Sequence, residues 1–113
     1  MTYLPPPVVP EVQVDELADA RAEGGLLIDV REPEEYETVH VPGATLIPLG
    51  EVVARVAEVP RDQPVYVICA TGNRSAKATQ WYRMQGIDAR NVAGGTKAWV
   101  EAGKPIARGP EPG

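Results

Sequence analysis

Residues 64–86 read PVYVICATGNRSAKATQWYRMQG, and the organisation of the chain follows from how that stretch divides. PVYVIC (64–69) is a continuous apolar run, the pattern of a strand covered on both faces in a parallel sheet. SAKATQWYRMQG (75–86) places Ser75, Ala78, Thr79 and Tyr82 at i, i+3, i+4 and i+7, one face of a helix, with Gly86 as its C-terminal cap. The polar residues between them, with Gly72 among them, fit neither period. The stretch therefore predicts strand, tight loop and helix in immediate succession.

The same alternation extends outward. VQV (12–14) and ATLIPL (44–49) read as further strands, LLIDV (26–30) as a second fully covered one, and DARNVAG (88–94) carries the last. Between them lie ELADARAE with Asp15 as N-cap and Gly24-Gly25 at its end, and EPEEYETV opened by Pro33. GEVVARVAEV (50–59) has Val52, Val53 and Val56 at helical spacing, and GTKAWVEAG (95–103) is a last helix that begins at Gly94-Gly95. The pattern predicts an α/β fold: a mostly parallel five-stranded sheet with helices on both faces and right-handed crossovers. Sites in such sheets form outside the carboxyl ends of the strands. Two stretches fall there, DVRE (29–32) and CATGNRS (69–75).

At 113 residues the chain is expected to form one domain, over residues 11–107. Residues 1–10 are a Pro-rich N-terminal extension and residues 108–113 a flexible tail expected to fray. The net charge of −5, with Lys and Arg scattered, argues against a nucleic-acid partner. The longest apolar stretches are strand-length, so no membrane span is expected, and the N-terminus lacks the pattern of a signal peptide. A cytoplasmic protein is the expectation. One cysteine and one histidine provide neither an internal disulfide nor a zinc site, and no cofactor or metal is expected.

That leaves the chemistry of Cys69. A loop that leaves a strand and opens a helix turns successive backbone N–H groups inward, and the helix N-terminus adds partial positive charge. A cysteine at the floor of such a loop is expected to be substantially thiolate near neutral pH, helped by Arg74. Gly72 permits the tight turn and Asn73 tolerates unusual dihedrals, while Thr71 and Ser75 offer hydroxyls to the sulfur or the helix end. A cysteine closing an apolar strand is as often a core residue. The polar, glycine-bearing loop and the arginine that follow it favour a nucleophile.

LIDVREPEEYETVHVPGATLIP, VYVICATGNRSAKAT and VAGGTKAWVEAGKPI together resemble a single-domain rhodanese, a sulfurtransferase family, over residues 10–107. Three signatures carry the resemblance in order: D-V-R-E-P with H-x-P-G-A, C-x-x-G-x-R-S, and G-G-x-x-x-W. It implies that Cys69 takes a sulfane sulfur from a small donor, holds it as a persulfide, and yields it to cyanide or a thiol, with an acceptor protein also possible. The loop Ala70, Thr71, Gly72, Asn73, Arg74 and Ser75 would surround the terminal sulfur. Where relatives often carry Arg after the cysteine, this chain has Ala70, leaving Arg74 the only charge in the loop. Thiosulfate, mercaptopyruvate and a protein persulfide stay open as donors.

Asp29 and Arg31 are supporting candidates at the same sheet edge, favoured as a structural ion pair. His40 in the H-V-P-G-A turn is favoured as structural over catalytic, and REPEEYE (31–37) as a solvated helical face. Trp81 and Trp99 are expected to pack. Two other functions remain: a non-catalytic sulfur-sensing or protein-binding module of the same family, and, behind it, a Cys-based phosphatase or arsenate reductase. The latter enzymes place Arg six positions after Cys, whereas Arg74 follows Cys69 by five, a loop better sized for one sulfur than for a tetrahedral oxyanion.

Overall fold

The computed structural model describes residues 8–113; the greater part of the Pro-rich extension, residues 1–7, lies outside the described residues. Five strands of the described residues form one sheet: β1 (Glu11–Val12), β2 (Leu26–Asp29), β3 (Thr45–Leu46), β4 (Val65–Ile68) and β5 (Ala89–Val92). Their order is β1-β5-β4-β2-β3 and every pairing is parallel. In the two central pairs Val65 lies opposite both Leu26 and Ala89. All carboxyl ends therefore share one edge. Among the described residues four helices accompany the sheet: α1 (Val14–Ala22), α2 (Pro33–Thr38), α3 (Asn73–Met84) and α4 (Gly95–Glu101).

Because side chains alternate along a strand, a continuous apolar strand feeds two cores. Val65, Val67 and Cys69 join Ile28, Ala78, Tyr82 and Ile87 on the α3 side. Tyr66 and Ile68 join Leu17, Leu27, Tyr36 and Trp99 on the side covered by α1, α2 and α4. Each fully buried Leu, Ile or Val contributes about 1.5–3 kcal/mol, so the two-sided sheet is the main source of stability. Trp81 packs against the first core and Trp99 lies in the second, its Nε1–H donating to the Pro105 carbonyl at 2.7 Å.

Several local expectations give way. GEVVARVAEV is not a helix but two 3-10 turns, Leu49–Glu51 and Val56–Glu58. The segment carries four valines, which lose side-chain freedom in a helix, between Pro48 and Pro60. Its N–H groups reach mostly three residues back, as Val52 does to Leu49 and Val59 to Val56. That tighter path lets both Val52 and Val59 turn into the core. The N-cap of α1 is Gln13, not Asp15: the Gln13 N–H donates to Glu16 Oε1 at 3.1 Å. Asp15 instead stands in the first turn and pairs with Lys104 at 2.7 Å. Finally, α3 starts at Asn73, so Asn73 and Arg74 are helical residues, and the unusual dihedral belongs to Gly72 alone, at φ +107°.

The turn Val41–Ala44 is closed by the Ala44 N–H donating to Val41 O, with Gly43 at φ +82°. Residues 108–113, expected to fray, lie along this corner. Gly43 N–H donates to Pro112 O at 2.8 Å, Gly109 N–H to Glu37 O, and Arg108 to Thr38 O. His40 is buried and stacks on Tyr36 with ring centroids 3.7 Å apart. Its two ring nitrogens face the carbonyls of Tyr36 and Pro112, so the imidazole is committed to the corner. No helix among the described residues is long and apolar enough to cross a membrane.

Candidate active site

Strands β2 and β4 are neighbours, yet the helices that follow them pack on opposite faces of the sheet. A crevice opens where they part. Cys69 follows the last residue of β4 and is 1% exposed. The chain then turns through Ala70, Thr71 and Gly72 into α3. The positive φ of Gly72 swings its N–H back to donate to Cys69 Sγ at 3.1 Å. One turn on, Ser75 Oγ lies 3.2 Å from the same sulfur. Burial pushes the Cys69 thiol up, but the hydroxyl of Ser75 and the N–H groups of Ser75, Gly72 and Thr71 outweigh it, and the net shift is downward. The arrangement thus favours a thiolate inside an otherwise apolar setting.

Further residues, distant in sequence, hold this loop. Ser75 Oγ is 2.6 Å from Asn91 Oδ1, and buried Asn91 donates through Nδ2 to Gly72 O at 3.2 Å and Glu11 Oε2 at 2.9 Å. Ser75 has one hydroxyl proton and faces two acceptors when the sulfur is ionised. From the other side α4 clamps the loop. Cys69 O accepts from Thr96 N–H at 2.9 Å and Thr96 Oγ1 at 3.0 Å, and Ala70 O accepts from Lys97 N–H at 3.0 Å. Gly94-Gly95 does begin the helix, as expected, and it also permits the clamp. A Cβ on Gly95, at φ +59°, would stand 2.5 Å from Cys69 O and 2.6 Å from Ala70 O.

Asp29 and Arg31 come to the same edge and bind each other. Arg31 Nε donates to Asp29 Oδ1 at 3.0 Å and Nη2 to Oδ2 at 2.9 Å, with a further bond from Nη2 to Val39 O at 2.7 Å. Neither hydrogen-bonds the cysteine loop. Arg74, expected as the only charge in the loop, donates through both its Nη nitrogens to Glu35 of α2, at 2.7 and 2.8 Å. Glu35 is therefore not the freely solvated residue that REPEEYE suggested. The guanidinium holds its carboxyl well down, at about 2. The signal for this partner was topological: α2 and α3 both start from the carboxyl edge of adjacent strands.

An open cleft of about 420 Å³ adjoins the loop, lined by Ala70 and Thr71 together with Arg31, Val39, Lys97 and Val100. Among the described residues no three His, Cys, Asp or Glu side chains converge to hold a metal ion.

Comparison with known proteins accords with this geometry. A family model described as a rhodanese-like domain matches residues 13–102. A protein of Allochromatium vinosum named "Sulfurtransferase" is 33% identical over 102 residues, covering 88% of this chain and 95% of that one. A Bacillus subtilis protein named "Putative sulfur carrier protein YrkF" is 43% identical over 75 residues, 66% of this chain; the match spans only 40% of the Bacillus protein. The crystal structure of a rhodanese-related protein from Thermoplasma volcanium superposes with a TM-score of 0.82 at 31% identity, covering 87% of this chain and 97% of that one.

Proposed function

The chain belongs to the rhodanese-like domain family, and from that premise we propose that it is a sulfurtransferase that carries sulfane sulfur on Cys69. The observation that supports this most directly is the pair of donors on the sulfur, Gly72 N–H at 3.1 Å and Ser75 Oγ at 3.2 Å. A thiolate poised in this way attacks the outer sulfur of a donor. The Sγ–S bond forms, the donor's S–S bond breaks, and its electron pair leaves on the departing group. The new sulfur stands about 2.05 Å from Sγ. Its negative charge falls at the N-terminal end of α3, among the loop's N–H groups. The Ser75 hydroxyl and the loop N–H groups favour the attacking thiolate without a general base, and His40 is occupied elsewhere.

The second half-reaction is the mirror of the first. An external nucleophile, cyanide or a thiol, attacks the outer sulfur and Cys69 departs as thiolate. With one cysteine in the sequence, no second thiol of this chain can intercept the persulfide as a disulfide. The relatives' names accord with both halves, one a sulfurtransferase and one a sulfur carrier.

Intact mass spectrometry after treatment with a sulfane donor tests the proposal. The expected result is the mass of one added sulfur, absent from Cys69→Ser and removed by cyanide. An unchanged mass with several chemically distinct donors would refute it.

A further inference from the structure

Gly72 N–H and the Ser75 hydroxyl both reach Cys69 Sγ, and one buried side chain holds both residues. Asn91 of β5 is 1% exposed; its Nδ2 donates to Gly72 O at 3.2 Å, and its Oδ1 lies 2.6 Å from Ser75 Oγ. Nδ2 also donates to Glu11 Oε2 at 2.9 Å, across the β1–β5 pairing in which Glu11 stands opposite Asn91. A carbonyl and a carboxylate only accept, so the Nδ2 edge must face them and Oδ1 must face Ser75. Turning the amide over would set Oδ1 against two acceptors. The oxygen aimed at Ser75 is thereby fixed.

Ser75 has one proton to give, and the state of the sulfur decides where it goes. In the bare thiolate the charge on Sγ draws the hydroxyl across the 3.2 Å between them. Asn91 Oδ1 then faces Ser75 Oγ at 2.6 Å with no proton between the two oxygens, and both residues are buried. Once a second sulfur is attached, Sγ is a neutral bridging atom and the negative charge lies one bond further out. The hydroxyl returns to Oδ1 and the conflict disappears. We propose, on the basis of the sulfur-transfer role above, that Asn91 is a positioning residue: through Ser75 it withdraws a hydrogen bond from the empty sulfur and so favours the loaded one.

The step that Asn91 slows is discharge. When cyanide attacks the outer sulfur, the C–S bond forms, the Sγ–S bond breaks, and its electron pair stays on Sγ. Thiocyanate leaves, and negative charge grows on Sγ as the bond lengthens. No outside oxidant or reductant enters. The Ser75 hydroxyl swings from Oδ1 to Sγ during this step, and Oδ1 opposes the swing.

Asn91→Val is the decisive variant, since it keeps a strand-forming residue and removes the acceptor. The charged groups around the loop are untouched: Arg74 with Glu35, Arg31 with Asp29, and Lys97 in the cleft, while Glu11 loses only the amide. Two quantities are measured, each also in the Ser75→Ala background. The pH midpoint of Cys69 alkylation by iodoacetamide in empty protein should move down, because the hydroxyl then serves the thiolate alone. The rate at which cyanide discharges protein loaded from benzenethiosulfonate should rise about fivefold, the weight of one hydrogen bond. In the Ser75→Ala background both changes should vanish. A merely structural Asn91 would act in reverse: releasing Gly72 would weaken its N–H on the sulfur and raise the midpoint, with or without Ser75. A midpoint that stays or rises, or a discharge rate within about twofold of wild type, overturns the proposal. If Asn91→Val does not fold, Glu11→Ala decides: it frees the amide to turn, and the same two changes must appear, again only with Ser75 present. Failure of wild type to take up sulfur from several donors would instead remove the sulfur-transfer role itself.

Discussion

Two arginine–carboxylate pairs flank the cysteine loop and are built in opposite ways. Arg31–Asp29 joins residues two apart at the end of β2, with side chains 5% and 0% exposed. Arg74–Glu35 joins α3 to α2 across 39 residues, with side chains 36% and 35% exposed. The first is enclosed in protein and each partner answers the other's charge, so it acts as a strut. The second is partly open to solvent, where a pair adds little stability. One arrangement fixes the sheet edge and the other ties two helices together at the surface.

The largest expected effect comes from breaking the enclosed pair. Asp29→Ala leaves a buried guanidinium without its counter-charge and should cost about 3–5 kcal/mol in urea unfolding. Replacing both partners, Asp29→Leu with Arg31→Met, should recover most of that loss. A loss below about 1 kcal/mol for Asp29→Ala would place the two pairs in one class. Next in size is the effect on the sulfur between them. Ser75→Ala removes a donor that lowers the Cys69 pKa, so the midpoint of its alkylation by iodoacetamide should move upward. A midpoint that stays put would assign the thiolate to the backbone and the helix alone.

The smallest effect is on the stability that the exposed pair supplies. Glu35→Gln should cost less than about 1 kcal/mol at pH 7. Because the folded carboxyl is held at about 2, the difference from wild type is fully present above the ordinary carboxylate range. It should fade as pH falls from there toward 2. A difference that grows in acid would contradict the pairing.

The fold was largely legible because its signal is periodic. Continuous apolar runs at 26–30 and 64–69 announce strands covered on both sides, and the α3 face repeats at helical spacing. GEVVARVAEV misled because valine spacing suits a helix while valine itself does not, and tertiary packing settled the matter with 3-10 turns. The short strand β3 was overextended for a related reason, since an apolar run does not say how much of itself is paired. At the site, Cys69, Gly72 and Ser75 could be placed because their roles are local to one strand–loop–helix unit. Glu35, Asn91, Glu11 and Thr96 could not, because each reaches the loop across 16 to 80 residues of chain, or through a partner that does. Such contacts follow from strand order, and β1-β5-β4-β2-β3 is not written in any single motif.

Asn91 has a consequence for how the sulfur can be watched. Its Nδ2 protons are held by Gly72 O and Glu11 Oε2 in a fixed orientation, one hydroxyl away from Cys69. When the sulfur loses a proton or gains a second sulfur, the Ser75 hydroxyl redistributes between Sγ and Asn91 Oδ1, and the amide at its far side is polarised differently. If Cys69 carries sulfur as proposed, the Asn91 side-chain resonances in a nitrogen–proton correlation spectrum should differ between loaded and empty protein, and report the cargo without a label on the cysteine.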